Sequence, residues 1–150
     1  MSEVNNILAQ ASQRARDQGL PYSGAVTPSE AAALLSSLPG AVLVDVRSAA
    51  EWQFVGTVPN SVRIELKTWP GMQANPHFPA QLREQVSPEA TVLFMCRSGV
   101  RSDEAARIAT SIGYTAVYNV LEGFEGDKDQ YGHRGTVGGW KGRGLPWQQG

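Results

Sequence analysis

Apolar residues recur along this chain in two rhythms, one of helical spacing and one of short strand-like runs. Val4, Ile7, Leu8, Ala11 and Ala15 share one face, which predicts an amphipathic helix over residues 3–17. Thr27-Pro28-Ser29-Glu30 has capping-box spacing with proline at the first helical position. A second helix therefore starts there, runs through Ala31, Leu34, Leu35 and Leu38, and stops at Pro39-Gly40. Residues 41–46 are almost continuously apolar and rich in β-branched side chains, the mark of a buried parallel strand. Ser48-Ala49-Ala50-Glu51 is another capping box and opens a short helix through Trp52 and Phe54. Gly56 to Asn60 reads as a turn, and Val62 to Leu66 alternates as a strand. Residues 67–77, with Trp69-Pro70-Gly71 and Asn75-Pro76, read as a loop, and Pro79 to Gln85 as a helix that Ser87-Pro88 ends. Thr91 to Met95 is a strand, Ala105, Ile108, Ala109 and Ile112 carry a helix capped by Gly113, and Thr115 to Val120 is a last strand. Strands alternating with helices in this way predict an α/β fold with a mainly parallel sheet.

Composition adds limits rather than a function. A chain of 150 residues suits one domain with a proper core. A net charge of −1, with arginines scattered outside one loop, argues against nucleic acid or an anionic membrane as partner. No apolar stretch approaches the roughly 20 residues that span a bilayer. The first residues lack the basic and apolar regions of a secretory signal. One cysteine forms no internal disulfide, which predicts a reducing, cytoplasmic setting. Nine of the 16 glycines fall between Gly123 and Gly150, so the tail reads as irregular but ordered, anchored by Trp140 and Trp147. Asp127, Asp129 and Gly132 faintly suggest a calcium loop, but Tyr131 and Gly138 stand where ligands are required. His77 and His133 have no metal-ligand spacing and read as packing or solvent-exposed residues.

The candidate chemistry lies at that one cysteine. Cys96 ends the strand Thr91–Met95, and the loop Arg97-Ser98-Gly99-Val100-Arg101 leads into a helix. A free cysteine is most often a small buried hydrophobe. Such a residue has no need of two arginines and a helix N-terminus beside it, and both favour a thiolate. A short loop of this kind also turns backbone N–H groups toward an anion. Asp103 and Glu104 in the first helical turn act against a thiolate if they face it. Without a second cysteine, any covalent adduct on Cys96 is discharged by an outside acceptor.

These residues resemble the rhodanese-like sulfurtransferases. Leu43-Val44-Asp45-Val46-Arg47 is similar to the family's first strand, and Glu51-Trp52 to the short helix after it. Gly56-Thr57-Val58-Pro59-Asn60-Ser61 resembles its Gly-His-Ile-Pro-Gly-Ala turn, with Thr57 in place of histidine and Asn60 in place of glycine. Cys96 to Ser102 resembles the active-site loop, and Gly113-Tyr114 to Gly123-Phe124 the last strand and its exit. The resemblance implies a central, mainly parallel sheet with helices on both faces. It covers a catalytic domain over 25–125; patterning and composition add an N-terminal helix and linker (1–24) and a Gly/Trp-rich segment (126–150) packed on the same domain.

It further implies a sulfurtransferase in which Cys96 takes a sulfane sulfur from thiosulfate or a persulfide and passes it to a thiol or cyanide. Arg97, Ser98, Gly99, Val100, Arg101 and Ser102 would bind the substrate, and no metal or organic cofactor is required. Asp45 and Arg47 would support the site as an ion pair or hydrogen bond orienting the loops. Implied partners are a small sulfur donor and an acceptor thiol, small or on a protein, in a monomer or homodimer. A cysteine phosphatase is disfavoured because it needs five residues between cysteine and arginine, and four separate Cys96 from Arg101. A non-catalytic interaction module and a redox or persulfide-sensing role are the alternatives.

Overall fold

A computed structural model describes residues 2–68 and 71–149 of the chain. Its elements run α1 (Ser2–Gln18), β1 (Gly24–Val26), α2 (Pro28–Ser37), β2 (Val42–Asp45), α3 (Ala49–Phe54), β3 (Val62–Arg63), β4 (Lys67–Thr68) and β5 (Gln73–Ala74). They continue with α4 (Phe78–Gln85), β6 (Thr91–Met95), α5 (Val100–Ser111), β7 (Ala116–Val120) and α6 (Gly139–Gly142). Five strands form one parallel sheet in the order β1-β7-β6-β2-β3. The α/β class and parallel sheet expected from the alternation are therefore the observed architecture.

Period-two alternation along the strands feeds two separate cores. Val44, Val46, Val92, Phe94 and Val117 face α4 and α5, meeting Phe78, Leu82, Ala105 and Ala109. Their neighbours Leu43, Leu93 and Met95 face the other way, toward Val4, Ile7 and Ala11 of α1, Ala31 and Leu34 of α2, and Phe124 and Trp140. Helices thus cover both faces. Both capping boxes form. Thr27 and Glu30 exchange hydrogen bonds at the start of α2, as do Ser48 and Glu51 at the start of α3.

Three local expectations need correction. Gly24–Val26 was not anticipated as a strand, because three residues carry no readable period; it pairs with β7 from Gly24 opposite Tyr118 to Val26 opposite Val120. The 67–77 segment contains an antiparallel hairpin, β4 with β5, although its Trp69 and Pro70 lie outside the described residues. The strand expected over residues 62–66 is regular only at Val62–Arg63, yet Ile64 and Leu66 still donate N–H bonds to the carbonyls of Asp45 and Val46. An edge strand with one neighbour needs no more.

Register decides what the sheet presents at its C-terminal edge. Asp45 lies opposite Met95, and Phe94 opposite Asn119. The ends of β2, β6 and β7 therefore bring Asp45, Cys96 and Asn119 to one edge, where open α/β sheets place their ligands.

Candidate active site

Cys96 leaves β6 at the sheet's C-terminal edge and is 1% exposed. The chain turns at Gly99, whose φ of 112° lies in the region that glycine tolerates, and α5 starts at Val100. That turn aims the Gly99 N–H at Cys96 Sγ, 3.1 Å away. Ser102, one helical turn on and fully buried, places its Oγ 3.4 Å from Sγ. The Ser102 hydroxyl donates to Asn119 Oδ1 at 2.5 Å, and Asn119 Nδ2 donates to the Gly99 carbonyl at 3.2 Å. Ser102 thus links Cys96 to Asn119, with either Sγ or Oγ able to donate across the 3.4 Å contact.

The loop is fastened from behind by the exit of β7. Phe124 donates its N–H to the Cys96 carbonyl at 2.8 Å, and Glu125 donates to the Arg97 carbonyl at 2.9 Å. Gly123 permits this approach, since a Cβ there would stand 2.5 Å from the Cys96 carbonyl oxygen.

Beside the loop lies a cavity of about 460 Å³. Arg97 and Arg101, Glu51 and Glu125 supply its charges, while Ala50, Val55 and Met72 supply apolar wall. Arg101 donates from Nη1 and Nη2 to the two carboxylate oxygens of Glu51, at 2.6 and 2.9 Å. Burial pushes the Glu51 carboxyl upward, but the Arg101 hydrogen bonds, joined by the Ser48 N–H, outweigh it and hold the group down at about 2. The opposing acids of the α5 first turn are engaged elsewhere. Asp103 accepts from the Tyr22 hydroxyl at 2.6 Å and from Arg107 at 3.0 Å, and Glu104 lies 3.7 Å from Lys67.

Asp45 and Arg47 are both fully buried. Arg47 Nη2 donates to Asp45 at 2.7 Å and to the Gly56 carbonyl at 2.6 Å, and the guanidinium lies 4.2 Å from the centre of the Phe124 ring. The pair ties the end of β2 to the turn after α3 and to the exit of β7.

Of the residues singled out by sequence, the fold gathers Cys96, Gly99 and Ser102 into one hydrogen-bonded group and sets Arg97 and Arg101 in the cavity wall. Ser98 is half-buried, and Val100 points to solvent at 77% exposure. Sequence reasoning missed Asn119 and the second role of Glu51. Asn119 left a signal, a polar residue in an otherwise apolar strand. Glu51 left none beyond its capping box. Among the described residues no cluster of His, Cys, Asp and Glu is arranged to hold a metal ion.

A family model for the rhodanese-like domain matches residues 27–130, and the chain belongs to that family. The crystal structure of Rv0390 from M. tuberculosis aligns with a TM-score of 0.80 at 47% identity, covering 86% of this chain and 99% of that one. An uncharacterized protein of Rickettsia conorii is 39% identical over 119 residues, 77% of this chain and 89% of its own. The thiosulfate sulfurtransferase GlpE of Tolumonas auensis is 35% identical over 108 residues, 72% of this chain and 91% of its own.

Proposed function

We propose that this protein is a sulfurtransferase that carries a sulfane sulfur on Cys96. The observation behind the reading is the N–H of Gly99 directed at Sγ from 3.1 Å, in a loop whose two arginines line an open cavity. A buried structural cysteine needs no donor at its sulfur, whereas one that becomes a thiolate and then a persulfide does. The similarity to a thiosulfate sulfurtransferase supports the same assignment.

In the first half-reaction the Cys96 thiolate attacks the outer sulfur of the donor. A bond forms between Sγ and that sulfur. The donor's sulfur–sulfur bond breaks, and the remainder, sulfite in the case of thiosulfate, leaves with the electron pair. In the second, an acceptor thiolate attacks the outer sulfur of the Cys96 persulfide and the Cys96 thiolate is restored. Gly99 stabilises negative charge on Sγ, and Arg97 and Arg101 flank the approach. The lone cysteine makes an external acceptor necessary, and suits a reducing compartment.

The test is intact-protein mass after incubation with thiosulfate or an organic persulfide, and again after a reducing thiol. Wild type should gain one sulfur atom and lose it to the thiol, and Cys96→Ala should gain none. Failure of wild type to gain sulfur from either donor would refute the proposal.

A further inference from the structure

Arg101 is the cation built most firmly into the wall of the cavity, yet its charge is not free. Both of its terminal nitrogens are spent on Glu51, with the two side chains 12% and 19% exposed. The Glu51 carboxyl, held at about 2, is ionised at every pH where a cysteine thiolate exists. The other cation, Arg97, is exposed and shares the wall with Glu125. The four side-chain charges sum to zero, so they give a dianion entering this cavity no net attraction of their own. What remains is space and apolar surface. A volume of about 460 Å³ is many times that of a small sulfur oxyanion, and Ala50, Val55 and Met72 offer contact to a carbon chain.

The geometry points to Glu51 as a specificity-determining residue: by cancelling the charge of Arg101 it selects against small dianionic donors and in favour of an organic persulfide with an apolar stem. This rests on the sulfur-transfer reading above. With such a donor, RS–SH, Sγ bonds to the outer sulfur and the RS–S bond breaks. The organic thiolate departs with the electron pair, and the proton stays on the transferred sulfur. No oxidant or reductant is required.

Glu51→Gln removes the charge while leaving a side chain that still serves the third position of a capping box and keeps one of the two oxygens that accept from Arg101. One measurement needs no sulfur transfer: protection of Cys96 from iodoacetamide by sulfate, an inert dianion. The half-protecting sulfate concentration should fall at least about threefold in Glu51→Gln, the change expected when one nearby charge is removed from a partly screened site. An unchanged or higher concentration would overturn the assignment. A second measurement uses wild type alone. Its half-protecting sulfate concentration should change less than about twofold between roughly 0.05 and 0.3 M ionic strength, because a neutral wall leaves little field to screen. A steep rise with salt would overturn the charge cancellation even if the variant did not fold. Where sulfur loads, the ratio of kcat/KM for thiosulfate to that for cysteine persulfide should rise at least about threefold in Glu51→Gln. If wild type loads from no donor, the sulfur-transfer reading fails, and the two sulfate measurements still decide whether Glu51 cancels Arg101.

Discussion

At the scale of single residues, Gly123 and Asn119 govern the cysteine without bearing on it chemically. Gly123 has a φ of +62°, and an added Cβ would lie 2.5 Å from the Cys96 oxygen and 2.6 Å from the Arg97 carbonyl carbon. Those neighbours are backbone and have no rotamer to give. Gly123→Ala should cost roughly 2–4 kcal/mol in urea unfolding and move the loop that aims Gly99 at Sγ. Sulfur loading, read by intact mass, should therefore fall even where the variant remains folded. Asn119→Ala would leave the buried Ser102 hydroxyl and the Gly99 carbonyl without their partner. The penalty is about 1–3 kcal/mol for each such group that stays buried, measurable as a lower urea midpoint at unchanged slope. Cys96 was readable from sequence because a strand, a short Arg-bearing loop and a helix follow one another there. Asn119 was only half readable: its polarity marks it as unusual, but its two partners are separated from it in sequence and meet it only where α5 and its preceding loop pack on β7.

Between elements, the Glu51–Arg101 pair joins α3 to α5 within the cavity wall. Its pH dependence has a definite sign. The folded-state value of about 2 lies below the ordinary 4.5, so the pair's stabilisation is complete above about 4.5 and disappears as pH falls toward 2. It should amount to on the order of 1 kcal/mol after solvent screening. Urea unfolding at a series of pH values should show that loss in wild type and a flatter acid limb in Glu51→Gln. The starts of α2 and α3 were legible because a capping box is written in four adjacent residues. β1 and the β4–β5 hairpin were not, because strands of two or three residues are defined by their neighbours rather than by their own period. β1 exists because the edge of β7 and the flank of α1 leave a slot for it. Gly24 fits that slot only without a side chain, since a Cβ would stand 2.7 Å from the Ala11 carbonyl carbon.

Across the whole molecule, the segment after β7 acts as a clasp. Thr57 and Gln148 exchange backbone hydrogen bonds at 2.7 and 2.8 Å. Trp147 meets Phe124 edge-on with ring centres 6.2 Å apart, and Lys141 Nζ lies 4.0 Å from the Trp147 ring. The clasp holds the turn after α3 against the buried Arg47. Trp147→Ala should lower stability by about 1–2 kcal/mol, and amide exchange should quicken first at Gly56 and Thr57. The tryptophans were visible in sequence as anchors, but Thr57 as their docking point was not, because it lies far from them along the chain. The strand order has a consequence for how the protein is made. β1 has a single neighbour in the sheet, β7, and β6 at the centre joins β7 to β2. α1, β1 and α2 pack on one another, but β1 has no strand to pair with until β7 is made. Translation therefore delivers the edge strand β1 before β6 and β7, the strands that join it to the rest of the sheet. The five-stranded sheet is complete only once residues 116–120 have been made.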